Sequence, residues 1–286
     1  MRALLLARAR YPAVMKRAIP LLAVLLLHSR SHAGECAIEV EAGVWNGASV
    51  PDVHAVLASA QNELWKHCDG LEAPGVKVVF NRGYPITFDQ RLPDGRVRIG
   101  LDTGGTYWSQ YSFQYAHEFA HLIAGHTRPD GAWTGAGNPN GWLEETLCET
   151  ASLFALRAMS RTWRESPPYP NWRDYSSSLA DYARDRLDDP KHQLPAGTTF
   201  PQWLEQHLPE LRRDCCNRES NTLVAARLLR VFEEHPAAWK TLAWFRHSKA
   251  GPDAPLDAHL AGWRDACPVE LKPHVERIAK ALGKER

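Results

Sequence analysis

Apolar positions along this chain switch between two periods, and the switch points predict its elements. Cys36-Ala-Ile-Glu-Val-Glu41 alternates apolar and polar side chains, which predicts a short strand. Ser49-Val-Pro-Asp52 reads as a helix start, and Val53, Val56, Leu57, Ala60 and Leu64 then recur at helical spacing until Cys68-Asp-Gly70. Three strands are expected next: Val76–Phe80, Pro85–Asp89 and Arg96–Leu101, with Pro93-Asp-Gly95 turning between the last two. A second helix follows within 112–125, with Phe113, Ala116, Ala120, Ile123 and Ala124 as its apolar stripe and Gly125 as its stop. Residues 127–141 form a Gly- and Pro-rich loop in which Trp133 is the one large apolar side chain. A long helical pattern opens at Gly141 and runs to about Met159. The rigid stretch Glu165-Ser-Pro-Pro-Tyr-Pro-Asn171 breaks it. Beyond the break the pattern is helical throughout, at about 172–187, 200–212, 219–234, 236–247, 256–265 and 270–282.

The chemistry is concentrated in His117-Glu118-Phe119-Ala120-His121. Histidines four apart on a helix project from one face and can grip one metal ion. Glu118 is displaced around the helix and can reach a water on that ion without ligating it. The five letters alone also fit an ordinary amphipathic helix. Two histidines on so apolar a helix need a compensating partner, and a metal supplies one. The third ligand is sought in Gly141-Trp-Leu-Glu-Glu-Thr-Leu-Cys-Glu149. Glu145 and Glu149 share a face of that helix, whereas Glu144 is rotated about 100° away and is expected to point elsewhere. Glu145 is the favoured ligand over Glu149 and Glu144, giving a His₂Glu site for Zn²⁺ with one open position. Glu149, a turn further on, is expected to accept the free N–H of a ligand histidine and fix its tautomer.

With these residues the chain resembles the zincin metallopeptidases of the gluzincin type. Thermolysin-like enzymes carry H-E-x-x-H followed by a glutamate ligand on a second helix and an acidic residue four positions later, as Glu145 and Glu149 stand here. Aminopeptidase N-type enzymes set the ligand in W-L-x-E, matched by Trp142-Leu143-Glu144-Glu145. The metzincin extension fails, since Ala124 and Thr127 occupy its glycine and third-histidine positions. The resemblance covers about residues 50–160 and implies an α+β fold. Residues 34–165 would be a zincin-like catalytic lobe with a small mixed sheet and an active-site helix, and 166–286 an all-helical lobe. It implies a zinc-dependent hydrolase acting on a peptide or protein, with Glu118 as general base and the free edge of Arg96–Leu101 pairing with extended substrate. Tyr169 is a weak candidate for stabilising the oxyanion. The alternatives are a binding protein that kept the scaffold without catalysis and a cell-wall peptide amidase.

The N-terminus adds a location. Lys16 and Arg17 precede the apolar run Ala18–Leu27, and Ser31-His32-Ala33 is the small-residue cleavage pattern of an export signal. Cleavage is expected after Ala33, which places the mature protein in a periplasm or outside the cell. Met15 as the start would give a more compact signal; the other reading is a long basic region. The apolar run is too short to span a bilayer. A net charge of +1 without blocks of Lys or Arg argues against nucleic acid or an anionic membrane as partner. All six cysteines follow the cleavage point, so disulfides are expected: Cys36 with Cys68, Cys267 with Cys215 or Cys216, and the remaining member of that doublet with Cys148 unless Cys148 is a buried thiol. A bridge between the neighbours Cys215 and Cys216 would be strained.

Overall fold

Four strands form a small mixed sheet in the order β1-β2-β4-β3, where β1 is Ile38–Val40, β2 Val76–Phe80, β3 Ile86–Thr87 and β4 Val97–Leu101. The computed structural model describes residues 36–127, 140–251 and 253–284. The expected export signal and nearly all of the 127–141 loop, Trp133 included, lie outside them. β1, β2 and β4 run parallel, with Ile38 opposite Val76 and Val76 opposite Val97. A parallel neighbour requires a crossover. Helix α1 (Val50–Trp65) supplies the one from β1 to β2, and Ser49 starts it by accepting from the Asp52 N–H at 3.2 Å.

The sheet corrects one expectation. β4 was to offer a free edge, but it lies between β2 and β3, and the edge on that side belongs to β3. The cause is the turn at Pro93-Asp-Gly95. Gly95 takes a left-handed φ of +87° and its N–H donates to the Leu92 carbonyl at 2.8 Å, folding β3 back onto β4 antiparallel.

The helix that bears the histidines, α2 (Trp108–His126), starts earlier than its pattern predicts. Only Gln110, His121, Gly125 and His126 of its 19 residues are not buried. It packs on α1, on α3 (Gly141–Glu165) and on the segment Pro236–His247. Two buried polar contacts set its height. Gln114 exchanges a pair of 2.9 Å hydrogen bonds with the backbone of Asp102 at the end of β4. Ser152 on α3 donates to the Phe113 carbonyl at 2.7 Å.

The rest is helical: α4 (Tyr175–Asp188), α5 (Phe200–Arg213), α6 (Arg218–Glu234), α7 (Leu256–Ala266) and α8 (Lys272–Ala281). Pro236–His247 winds as 3₁₀ turns rather than as the expected α-helix. Its Thr241 carbonyl accepts from the Trp263 indole at 2.9 Å, so that acceptor is occupied by tertiary structure. Buried apolar side chains from Cys36 to Leu282 form one contiguous core. No described helix is long and apolar enough to cross a membrane.

The expected disulfides are not formed; all six cysteines are free thiols. Cys36 donates instead to the Pro74 carbonyl at 3.2 Å, and Cys68 faces the Leu64 carbonyl at 3.8 Å. Tyr169, the weak oxyanion candidate, packs edge-on against Trp172 at a centroid distance of 4.8 Å and does not line the cleft described below.

Candidate metal centre

A cleft of ≈ 500 Å³ opens where α2, α3, the start of α6 and the loop leading into β3 meet. His117, Glu118, His121, Glu145 and Glu149 all line it, so the structure brings the sequence-selected residues together. Helical spacing explains the histidine pair: four residues apart on α2, their rings stand 5.1 Å apart between centroids. α3 crosses over them and lowers the Glu145 carboxylate between the two. One carboxylate oxygen lies 3.3 Å from Nε2 of His117 and the other 3.5 Å from Nε2 of His121.

The donor set fits a divalent cation. Two imidazoles present the same nitrogen toward one carboxylate, the ligand mixture that zinc accepts with a position left for water. Nδ1 of His117 is buried without a hydrogen bond. The electrostatics agree. Burial disfavours the charged form of Glu145, but His121 and His117 outweigh it and hold the carboxyl far below the usual range. Burial likewise opposes charge on His121, yet Cys148, Glu145 and a hydrogen bond to Glu144 together raise its pKa well above the ordinary value.

Behind the donors, each histidine backs onto a buried carboxylate. Nδ1 of His121 lies 2.8 Å from Glu144 Oε1. Glu144 therefore does not point away from the site; its rotation carries it past the cleft to the far nitrogen of the ring. Arg246 neutralises it, donating from Nε at 3.0 Å and from Nη2 at 2.5 Å. Gly125 makes room for this contact. A Cβ there would collide with Nη1 of Arg246 and stand 2.7 Å from its Cζ. α2 in fact continues through Gly125 to His126, so this glycine clears a passage for a guanidinium instead of ending the helix. Glu149 Oε2 lies 3.9 Å from Nδ1 of His117, beyond hydrogen-bond length. Its other oxygen accepts from Thr222 at 2.8 Å and from Arg186 at 2.9 Å.

Glu118 faces the cleft from the side of the sheet. Thr87 on the edge strand donates toward its Oε2 at 2.9 Å and lies 2.8 Å from its backbone carbonyl. Cys148 is an alternative to Glu145 as the third ligand. Cys148 Sγ and ring nitrogens of His117 and His121 lie within 4.8 Å of one another. Cys148 is fully buried, and burial pushes its thiol up to about 12. On the open side, Tyr84 and Arg218 line the cleft, and among the described residues Arg218 makes no ion pair. Burial, then the Arg246 and Arg91 cations, lower His126 at the rim to about 4.

Comparison of the chain with protein-family models, with curated proteins and with solved structures gives no match.

Proposed function

We propose that this chain is an exported zinc-dependent hydrolase of peptide bonds, with a zincin-like arrangement around α2 and α3. One observation carries the reading: Nε2 of His117, Nε2 of His121 and the Glu145 carboxylate converge in the cleft that Glu118 also lines. His117, His121 and Glu145 would hold the ion. When bound, zinc supplies a Lewis acid that acidifies water and polarises a carbonyl. Glu118 accepts the proton of the attacking water and passes it to the leaving amine. Thr87 keeps the accepting carboxylate aimed. Arg218 and Tyr84, which also line the cleft, would be the donors to the oxyanion. The free edge of β3, beside Glu118, takes the place of β4 as the strand that would pair with extended substrate. Export rests on residues 1–33, which lie outside the described structure.

Glu145 is preferred to Cys148 because it lines the cleft and retains 26 % side-chain exposure, whereas the thiol is sealed below. A second reading follows from that thiol: a closed structural metal site of His117, His121 and Cys148 without catalysis. Metal analysis combined with digestion of a peptide library separates the two. The hydrolase reading expects one zinc per chain, and cleavage that Glu118→Gln abolishes while the zinc stays. Zinc bound by wild type with no cleavage, and lost in Cys148→Ala, supports the structural site instead.

A further inference from the structure

Two thiols of this protein stand apart from the other four. Cys215 and Cys216 are exposed, whereas Cys36, Cys68, Cys148 and Cys267 are buried. They occupy the turn between α5 and α6, and their sulfurs face each other at 3.5 Å. The turn is held from both sides: the Cys216 N–H donates to Asp214 Oδ1 at 3.1 Å, and Asn221 donates to the Cys215 carbonyl at 2.8 Å. Cys215 rests against the start of α3, its Cβ 3.8 Å from where a Cβ of Gly141 would stand. Cys216 lines the candidate cleft with Glu145, Arg218 and Asn221.

We propose that Cys215 and Cys216 are a redox-active vicinal dithiol, which a low-molecular-weight disulfide of the glutathione type closes into a bridge on the wall of the cleft. One thiolate attacks the disulfide RSSR, forming a mixed disulfide with the protein and releasing RS⁻. The second thiolate attacks the protein sulfur of that intermediate, forms the Cys215–Cys216 bond and expels the second RS⁻. The protein loses two electrons and two protons, and RSSR becomes two RSH. Proximity favours this closure over pairing elsewhere, since the sulfurs need approach only from 3.5 Å to about 2.05 Å. Adjacent Cα atoms are about 3.8 Å apart, below the usual span of about 4.4–6.8 Å for a disulfide. The bridge is therefore strained, and strained, exposed bridges are the easily reduced ones. Closure draws the Cys216 sulfur toward Cys215, so the wall beside Glu145 differs between the two redox forms.

Closure requires neither metal nor hydrolysis, so its test is separate from that of the hydrolase reading. The reduced full chain is incubated with oxidised glutathione, alkylated and mapped by peptide mass. Alkylated thiols should fall from six to four, with two hydrogens lost from the peptide that holds both Cys215 and Cys216, and dithiothreitol should restore them. Cys215→Ser and Cys216→Ser should each retain a glutathione adduct on the remaining cysteine. Six alkylated thiols after oxidation, a persistent glutathione adduct on the wild type, a bridge to another cysteine, or single variants that take up no glutathione would each overturn the proposal.

Discussion

Gly125→Ala tests the charge relay behind the histidines through one added methyl group. Replacing a helix glycine by alanine ordinarily stabilises by about 0.8–1 kcal/mol. Here the methyl would occupy the place of the Arg246 guanidinium. The guanidinium must shift to admit the methyl, and that shift disturbs the hydrogen bonds from its Nε and Nη2 to Glu144. Glu144 is only 2 % exposed, so the departure of the guanidinium leaves its buried carboxylate with His121 as its remaining partner. Breaking such a pair costs about 3–5 kcal/mol, and the net expectation is a loss of about 2–4 kcal/mol, opposite in sign to the propensity effect. Urea denaturation of the metal-free protein measures it. In an Arg246→Met background the collision and the ion pair are both absent, and the same methyl should then be neutral or stabilise by up to about 1 kcal/mol. A Gly125→Ala protein as stable as wild type, or an equal cost in both backgrounds, would refute the reasoning.

Three further outcomes are expected. Glu145→Ala should hold no zinc under conditions where Cys148→Ala binds normally and Glu149→Ala, whose carboxylate stands 3.9 Å behind His117, loses no more than the about 10–100-fold typical of a residue outside the ligand set; zinc dialysis titrations rank them, and loss in Glu149→Ala alone would move the ligand there. Thr87→Val removes the hydroxyl that aims Glu118, and a hydrogen bond to a charged group is worth about 1.5–3 kcal/mol, so kcat should fall at least about tenfold with zinc content unchanged; unchanged turnover would deny Thr87 that role. His259 is buried, and burial lowers its pKa to about 4. The unfolded chain therefore takes up its proton first: the contribution is complete above pH about 6.5 and lost as pH falls toward 4, up to about 3 kcal/mol. Urea midpoints at pH 7 and pH 4.5 should diverge less in His259→Leu than in wild type, and an equal divergence would remove His259 from the acid response.

The parts legible in the sequence are those governed by local periodicity. α1, β2 and α6 fall within a few residues of their patterns, and His117 and His121 share a face because a helix places positions four apart together. Cys148 stands three residues after Glu145 on the same helix, but without a CxxC pair nothing local marks it as a neighbour of the two histidines. What the pattern cannot carry is pairing across distance. Arg246 meets Glu144 from 102 positions away, and nothing local marks either as the other's counterion. Gly125 looks like a helix stop until the side chain that crosses it is known. The pattern marks a strand at Pro85–Asp89, but not that only Ile86–Thr87 pairs or that this strand takes the sheet's edge.

The origin of those counterions limits how modular the site can be. His117, Glu118, His121, Glu145 and Glu149 all precede the end of α3 at Glu165. The groups that pair with the carboxylates behind them do not: the Arg186 guanidinium and the neutral Thr222 hydroxyl donate to Glu149, and the Arg246 guanidinium donates to Glu144. A fragment ending after α3 would contain every proposed ligand and the proposed base, yet would lack the guanidinium partners of Glu144 and Glu149. The motif can be transplanted as letters, but not as a working unit. During synthesis the partners of both carboxylates are present only once the chain has passed residue 246, well beyond the last proposed ligand.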